Sequence, residues 1–152
     1  LFGSQGKGLQ RLGLVDGVHQ PLTALDAGLA YLQRFIEPVS TPGFDWRVLV
    51  VGGRAVSAMR RVSDHWVHNV AQGARCEAAV LTAELSSLAE RAAQALAMDY
   101  AGVDLMPSAE GAPIQVIEVN GVAAWQGLQR VSAFNIARAI VADLFERKLA
   151  AQ

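Results

Sequence analysis

The fold of this chain is easiest to infer from one segment, Asp45-Trp46-Arg47-Val48-Leu49-Val50-Val51-Gly52-Gly53. After Asp45 it is rich in the β-branched, aliphatic and aromatic residues that favour strands. Two consecutive glycines then suit a two-residue hairpin turn, and residues 55–62 are strand-like again. The segment therefore predicts an antiparallel β-hairpin.

The pattern on either side of the hairpin predicts further short strands, a short helix over residues 20–27 and two longer helices. Strand-like runs cover residues 9–15, 31–36, 66–70, 101–106 and 113–120. Helical spacing of apolar residues begins after Thr82 and after Ser132, and both residue types are good helix caps. Because strands and helices do not alternate regularly, we expect an α+β fold with a mainly antiparallel sheet flanked by helices. Pro38 and the Ser40-Thr41-Pro42-Gly43 turn place a subdomain boundary after residue 38.

Composition excludes several classes of protein. Of the 152 residues, 52% are hydrophobic and 18% are charged, which suits a packed core and argues against intrinsic disorder. The net charge is -1 and no basic run is present, so we expect no nucleic-acid partner. Cys76 is the only cysteine, which excludes an internal disulfide and favours the cytoplasm. No apolar run approaches the roughly 20 residues that span a bilayer, so we expect a soluble protein without a membrane partner.

Polar side chains at regular spacing mark two of the predicted strands. In Val116-Ile117-Glu118-Val119-Asn120, strand alternation sends Glu118 and Asn120 to the same face. Asp104 lies near the end of the preceding strand. Two carboxylates and an amide oxygen are ligands that Mg2+ favours, so the three residues form a candidate magnesium site. The alternative is that all three are ordinary polar residues on the solvent-facing side of a sheet.

A glycine-rich run near the start of the chain is a candidate phosphate-binding loop. Its backbone N–H groups can approach phosphate oxygens closely, and it consists of Gly3, Ser4, Gln5, Gly6, Lys7 and Gly8. The spacing matches neither the P-loop nor the dinucleotide-binding fingerprint. A mobile hairpin tip is therefore an alternative explanation of the same glycines.

Arginines on the central hairpin are candidates for binding anions. Arg47, Arg60 and Arg61 offer the planar fork that pairs with carboxylates and phosphates, and Asn69 follows them. Arg60 and Arg61 occupy adjacent strand positions, so at most one of them can enter such a site. The alternative is that these arginines form surface salt bridges.

Nucleophilic catalysis has little support in the sequence. No Gly-x-Ser-x-Gly motif is present, and Cys76 has no partner motif. His19, His65 and His68 lack a metal-ligand spacing on one face, so we expect surface or loop positions for all three.

Taken in order, these segments resemble the carboxy-terminal half of the ATP-grasp carboxylate-amine ligases, specifically the RimK-like glutamate ligases. The resemblance covers essentially the whole chain. It rests on the glycine-rich run, on Gln33-Arg34-Phe35-Ile36, on Asp45-x-Arg47 followed by Arg60-Arg61 and Asn69, and on Ala101-Gly102-Val103-Asp104 and Glu118-Val119-Asn120. The last two motifs are specific in this order and context.

The resemblance implies a partial ATP-grasp fold that uses ATP and Mg2+, with Mn2+ as a substitute metal. Residues 1–38 would belong to the small subdomain, which carries the phosphate-covering loop and the adenine-hinge strand, and residues 39–152 to the large subdomain. Adenine would be bound at Gln33, Arg34, Phe35 and Ile36. The large subdomain would carry the magnesium site of Asp104, Glu118 and Asn120.

The implied activity is the formation of an amide through an acyl phosphate. The γ-phosphoryl group of ATP would pass to a substrate carboxylate, and an amine would then displace phosphate. Arg47, with Arg61 or Arg60, would bind the acyl phosphate or an amino-acid carboxylate, and Asn69 would orient it. Glutamate is the amine that the resemblance favours. The acceptor is left open between a pterin-type cofactor side chain, another small-molecule carboxylate and a protein carboxy terminus, as is homo-oligomerisation.

Some features depart from the family pattern. Arg34 stands where the family usually has Glu beside adenine, Val67 stands where relatives often carry Arg, and no Pro-Gly turn follows Asn120. These departures leave open an alternative, a catalytically inactive nucleotide-binding or regulatory module. The family's amino-terminal domain, and a lysine expected before Leu1, lie outside this sequence, so we expect the chain alone to be inactive.

Overall fold

The computed structural model of this chain describes residues 8–13, 31–108 and 112–150, so the helix predicted at residues 20–27 lies outside the described residues. Within these ranges the strands are β1 (Gly43–Val51), β2 (Arg54–Ser63), β3 (Arg75–Ala78), β4 (Tyr100–Met106) and β5 (Gln115–Asn120). The helices are α1 (Ala83–Ala95), α2 (Gln126–Val131) and α3 (Ile136–Asp143), and a π-helical turn at Leu144–Leu149 continues α3. No helix in this part of the chain is long and apolar enough to cross a membrane.

The strands form one antiparallel sheet in the order β3-β2-β1-β4-β5. Strand β1 lies at the centre, and its residues Val48, Leu49 and Val50 are almost completely buried. A sheet with short helices on its faces is an α+β fold, so the predicted fold class is confirmed.

The central hairpin is formed as the sequence predicts. Strands β1 and β2 pair directly, and Gly52 and Gly53 make the turn with φ values of 62° and 73°. Two successive positive φ angles characterise the tight turns that match the twist of the flanking strands, and glycine adopts them without steric cost.

Helices cover both faces of the sheet and create two apolar layers. On one face α1 places Leu85, Ala89 and Ala93 against strand residues that include Val48 and Val103. Thr82 caps α1 as predicted, because its side chain accepts a hydrogen bond from Leu85 N at 3.2 Å.

The second apolar layer covers only part of its face. It contains Leu49, Val51 and Met59 from the sheet, with Leu128 of α2 and Ile136 of α3 above them. Leu49 and Val51 lie towards the Gly52-Gly53 turn, and Met59 is opposite Arg47. The opposite end of the same face carries polar side chains.

Two of the predicted strands are wrong where the structure describes them. Residues 9–13 and 31–36 have no regular secondary structure, and Tyr31 and Leu32 are exposed. An extended segment becomes a strand only when a neighbour pairs with its backbone, and none of the described strands does so here.

The predicted strand at residues 66–70 is also wrong. A 3₁₀ turn at Val70–Gln72 ends at Gly73, whose φ of 97° redirects the chain, and the strand that pairs with β2 is β3. Helix α2 was not predicted. Ser132 ends α2 rather than capping a helix, and Asn135 caps α3 by accepting from Arg138 N at 2.9 Å.

The hairpin turn allows a direct test of this packing. A Cβ at Gly53 would meet no atom within 4 Å. Gly53→Ala should therefore lower the free energy of unfolding only by the left-handed backbone penalty of about 1 kcal/mol. Gly52→Ala should cost more, because its Cβ would also collide with the Asp143 carboxylate. Denaturant unfolding of the two variants measures the difference, and equal losses would contradict the contact between α3 and the turn.

Candidate functional site

A group of buried charged residues occupies the polar end of the second sheet face. Asp45 and Arg47 come from β1, Arg61 from β2 and Asp104 from β4. The exposed fractions are 3% for Asp45, 8% for Arg47, 4% for Arg61 and 2% for Asp104. Charges so far from solvent must be paired, because an unpaired buried charge is strongly unfavourable.

Asp104 is shared by two arginines. Arg47 Nε donates to Asp104 Oδ1, and Arg47 Nη2 donates to Asp104 Oδ2 at 2.8 Å. Arg61 Nη2 lies 2.8 Å from the same Oδ2. Arg47 and Asp104 are directly opposite in the β1–β4 register, so strand pairing itself brings them together.

Arg61 is also held by Asp45, its opposite residue in the β1–β2 register. Arg61 Nε donates to Asp45 Oδ1 at 2.7 Å, and Arg61 Nη2 donates to Asp45 Oδ2 at 2.6 Å. Burial opposes the charge on Arg61, but the carboxylates of Asp104 and Asp45 raise its pKa. Burial raises the pKa of Asp45 to about 6, against the opposing effect of Arg61, so Asp45 is largely ionised at neutral pH.

His68 closes the outer side of this group. Its ring is 4% exposed, and Nδ1 lies 3.8 Å from Asp45 Oδ2, beyond hydrogen-bond distance. Burial, with Arg61 and His65 nearby, lowers the pKa of His68, so the ring is neutral at pH 7. His68 is thus a buried residue, and the expected surface position is wrong. A Cβ at Gly43 would lie 2.9 Å from His68 Nε2, so the missing side chain leaves room for the ring.

Gly102 likewise leaves room for a neighbouring side chain, here that of Arg47. A Cβ on Gly102 would lie 2.6 Å from the Cβ of Ala123 and 3.1 Å from Cδ of Arg47. The Tyr100 hydroxyl donates to the Ala123 carbonyl at 2.6 Å and holds the segment after β5 against the sheet. The absence of a side chain at Gly102 therefore lets Arg47 lie flat and reach Asp104.

Glu118 extends the group to the edge strand β5. It is directly opposite Asp104 in the β4–β5 register, and Asn120 is opposite Gly102. Glu118 keeps part of its surface in solvent, yet partial burial and the nearby Asp104 raise its pKa. No arginine, lysine or histidine among the described residues forms an ion pair with Glu118.

The oxygen atoms of this group suit a magnesium ion. The described residues contain no set of three His, Cys, Asp or Glu side chains that could hold a metal, so the candidate site combines two carboxylates with the amide of Asn120. The Asp104 carboxylate has about four lone-pair positions and uses three, while the Glu118 carboxylate is not paired with a base. The Asn120 Oδ1 accepts from Val122 N at 2.9 Å and has one further lone pair.

Two other candidate anion-binding residues lie elsewhere. Arg60 points to the opposite face, where it donates to Glu77 Oε2 at 2.8 Å and lies over the Phe44 ring at 4.7 Å. Of the adjacent pair, only Arg61 reaches Asp104, which agrees with strand alternation. Asn69 precedes the 3₁₀ turn, where its side chain makes no capping hydrogen bond.

The four residues expected at adenine lie on an irregular segment beside the sheet. Gln33 Nε2 donates to the Ile117 carbonyl of β5 at 3.1 Å, and Phe35 packs edge-on against Trp66 with ring centres 5.8 Å apart. Arg34 is exposed and Ile36 is partly buried. In the expected phosphate loop, Gly3, Ser4, Gln5, Gly6 and Lys7 fall outside the described residues, and only Gly8, with φ of 75°, is described.

The sequence interpretation missed Asp45 and His68 as members of the group. Asp45 carried a usable signal, because it lies two residues before Arg47 and therefore on the same face of β1. His68 carried none, since its burial depends on contacts between the loop after β2 and the start of β1.

Gly102→Ala tests the packing beneath Arg47. The new methyl group should destabilise the fold by about 1–3 kcal/mol through overpacking. Gly121→Ala is the control, because its Cβ would make only ordinary contacts with the flexible Met98 side chain, 3.4 Å from Cε and 3.6 Å from Sδ. Denaturant unfolding should also show partial recovery in Gly102→Ala/Ala123→Gly, which removes the closest contact. A stability of Gly102→Ala equal to that of Gly121→Ala would contradict the proposed crowding.

Comparison with known proteins places this arrangement in a family. A family model described as the RimK-like ATP-grasp domain matches residues 1–144. The chain is 39% identical to Tetrahydromethanopterin:alpha-L-glutamate ligase of Methanococcus maripaludis over 146 residues, covering 93% of this chain and 49% of that protein. A Probable alpha-L-glutamate ligase of Rhodopirellula baltica is 32% identical over 146 residues, covering 93% of this chain and 35% of that protein.

Solved structures give the same fold. The ATP-grasp ligase PsnB, complexed with a phosphomimetic variant of minimal precursor, Mg and ADP, matches with a TM-score of 0.54 and 24% identity, covering 68% of this chain and 32% of PsnB. PsnB complexed with precursor peptide PsnA2 and AMPPNP matches with a TM-score of 0.52 and 26% identity, covering 68% of this chain and 33% of PsnB. The chain spans about half the length of its two methanogen relatives from Methanococcus maripaludis and Methanocaldococcus jannaschii. It belongs to the RimK-like ATP-grasp family.

Proposed function

We propose that the protein carrying this chain is an ATP-dependent ligase that joins glutamate to a carboxylate through an acyl phosphate. The observation that carries the proposal is the row of charges across the sheet. It places Glu118, an acid without an ion pair to a base among the described residues, opposite Asp104, and two guanidinium groups contact Asp104 on its other side. Such a row can bind a cation and an anion side by side, as phosphoryl transfer to a carboxylate requires.

In this proposal Asp104, Glu118 and Asn120 hold Mg2+, and ATP supplies the phosphoryl group. The bound ion would neutralise the charge that develops on the phosphates during transfer. Mn2+ has the same preference for oxygen ligands and is the expected substitute.

The buried arginines are proposed to serve the anionic reactants. Arg47 and Arg61 would bind the acyl phosphate or the amino-acid carboxylate, with Asn69 orienting the same group. Arg60 is not assigned to this site, because it lies on the opposite face of the sheet and pairs with Glu77. The residues at positions 3–8 would cover the phosphates and exclude water, and Gln33, Arg34, Phe35 and Ile36 would contact adenine.

The substrate proposal follows the names of the relatives. Several are named as glutamate ligases, and those of the methanogens as acting on tetrahydromethanopterin. We therefore propose glutamate as the amine and a pterin-type or other small-molecule carboxylate as the acceptor. We propose that the reaction takes place in the cytoplasm and requires the whole protein. In that protein, residues 1–38 would belong to the small ATP-grasp subdomain and residues 39–152 to the large one. The ligase names and the intact oxygen-ligand set favour catalysis over an inactive module.

Product analysis is the direct test of this function. The intact protein is incubated with ATP, Mg2+, isotopically labelled glutamate and a metabolite extract, and mass spectrometry searches for a new amide that contains the label. A labelled amide that requires ATP identifies the acceptor. Absence of any labelled amide, from a protein that binds ATP, would overturn the proposed ligation.

Glu118→Gln should abolish ligation while leaving the fold intact. A neutral amide keeps the shape of glutamate but cannot supply the negative charge of a metal ligand. ADP release with the identified acceptor at saturating Mg2+, together with thermal melting, measures both properties. Glu84→Gln is the control, because Glu84 is an exposed residue in the first turn of α1. Turnover of Glu118→Gln at the wild-type rate would exclude Glu118 as a metal ligand.

Arg47→Lys should lower kcat far more than it raises KM for ATP. Lysine keeps the charge but loses the fork, and loss of one charge-assisted hydrogen bond of about 2 kcal/mol corresponds to a roughly thirtyfold slower rate. Steady-state kinetics of the intact enzyme measure the effect, with Arg60→Lys on the opposite face as the control. Unchanged kcat with a lower melting temperature would make Arg47 a structural residue.

A further inference from the structure

We propose that Asp45 is a positioning residue that holds the Arg61 guanidinium in the orientation in which it meets Asp104. The inference rests on the proposed function, because it assigns how one of the anion-binding arginines is kept in place. Asp45 itself would touch neither nucleotide nor substrate. Its effect on the reaction would pass entirely through Arg61.

The hydrogen bonds of Arg61 are distributed unequally between its two partners. Asp45 accepts from both Nε and Nη2, at 2.7 and 2.6 Å, and so fixes the plane of the guanidinium. The contact of Asp104 with Arg61 is through Nη2, at 2.8 Å, and lacks the second, Nε hydrogen bond that Asp45 accepts. A single contact leaves the fork free to rotate, so Asp45 rather than Asp104 determines its direction.

Asp104 does not depend on Arg61 in the same way. Its carboxylate already receives two hydrogen bonds from Arg47. Replacing the Asp45 carboxylate by a neutral amide would therefore break the bidentate ion pair and leave Asp104, which another arginine already satisfies, as the only carboxylate in contact with the buried Arg61 among the described residues. A buried guanidinium in that situation is expected to turn towards solvent or another acceptor.

His68 keeps water and other cations, which would otherwise compete with Arg61, away from the Asp45 carboxylate. Its buried ring lies beside Asp45, but the 3.8 Å separation from Nδ1 to Oδ2 is too long for a hydrogen bond. Its Nε2 has no hydrogen-bond partner among the described residues and packs against Gly43. The ring therefore excludes water from Asp45 without supplying a second cation, and Asp45 is committed to Arg61.

A neighbouring ion pair supplies a matched control for a purely structural role. Asp45 and Arg61 are opposite residues of β1 and β2, and Arg60 and Glu77 are opposite residues of β2 and β3. The Arg60–Glu77 distance, 2.8 Å, is similar, but this pair lies on the other face and is partly exposed. If both ion pairs serve only to hold neighbouring strands together, disrupting either pair should lower the stability of the fold, and disrupting neither should change kcat.

The first experiment is a double-variant cycle in the intact protein with the identified acceptor. Asp45→Asn, Arg61→Lys and their combination are compared with Glu77→Gln, Arg60→Lys and their combination. We expect Asp45→Asn and Arg61→Lys each to lower kcat at least about tenfold with KM for ATP changed less than about twofold, and the combination to be no worse than Arg61→Lys. The control set should keep kcat within about twofold of wild type.

A second measurement does not require turnover. In protein labelled with ¹⁵N-arginine, the Arg61 Nε–H signal, assigned by its loss in Arg61→Lys, should exchange slowly with solvent, unlike that of the exposed Arg54. In Asp45→Asn it should shift and exchange at least about tenfold faster, since a neutral amide with a single acceptor oxygen replaces the carboxylate that accepts from both Nε and Nη2. Rapid exchange of Arg61 in the wild-type protein would overturn the proposal even if Asp45→Asn failed to fold.

The two experiments separate the two proposals. Wild-type kcat in Asp45→Asn, with only a lower melting temperature, would overturn the positioning role and leave the ligase proposal standing. A wild-type protein that forms no amide, but whose Arg61 signal is protected and loses protection in Asp45→Asn, would overturn the ligase proposal and support the Asp45–Arg61 contact.

Discussion

The buried carboxylate of Asp104 is the constraint on which the rest of this arrangement depends. It sits on β4, next to the central strand β1, with 2% of its surface exposed, so its charge can exist there only with Arg47 and Arg61 around it. The buried charge of Arg61 is in turn paired with Asp45. The outcome is a row of alternating charges across β2, β1 and β4, in which two acids balance two bases. Glu118 on β5 adds one further negative charge next to this balanced set.

The packing around the row explains why the polar and apolar parts of one sheet face remain separate. Helices α2 and α3 cover the end near the hairpin turn, and Gly102 lets Ala123 approach the sheet between the two parts. The segment from 31 to 38 contacts residues that neighbour the two ends of the row. Gln33 binds the β5 carbonyl next to Glu118, and Phe35 packs on Trp66, two residues before His68. Movement of that segment would therefore reach the edge acid and the buried histidine together.

Much of this fold follows from local sequence signals, and the remainder depends on contacts between distant residues. The hairpin, α1, β4 and β5 have clear periodicity and turn or cap residues, and all four were predicted. Strand β3 has four residues and α2 begins without a capping side chain, so neither has a strong local signal. Strand alternation correctly allowed only one residue of Arg60-Arg61 to meet Asp104. It gave no information on His68, whose burial depends on the space left by Gly43.

The charge balance of the row has a chemical consequence. The paired charges of Asp45, Arg47, Arg61 and Asp104 are held by hydrogen bonds formed on folding, so little reorganisation is needed when a charged ligand arrives. A cation approaching Glu118 meets one uncompensated acid with Asp104 behind it, while an anion approaching the arginines meets groups that carboxylates already orient. Binding a cation at Glu118 and drawing Asp104 towards it would weaken the hold of Asp104 on the arginines. That would strengthen their attraction for an anion on the same face, which links the two binding events through a single carboxylate.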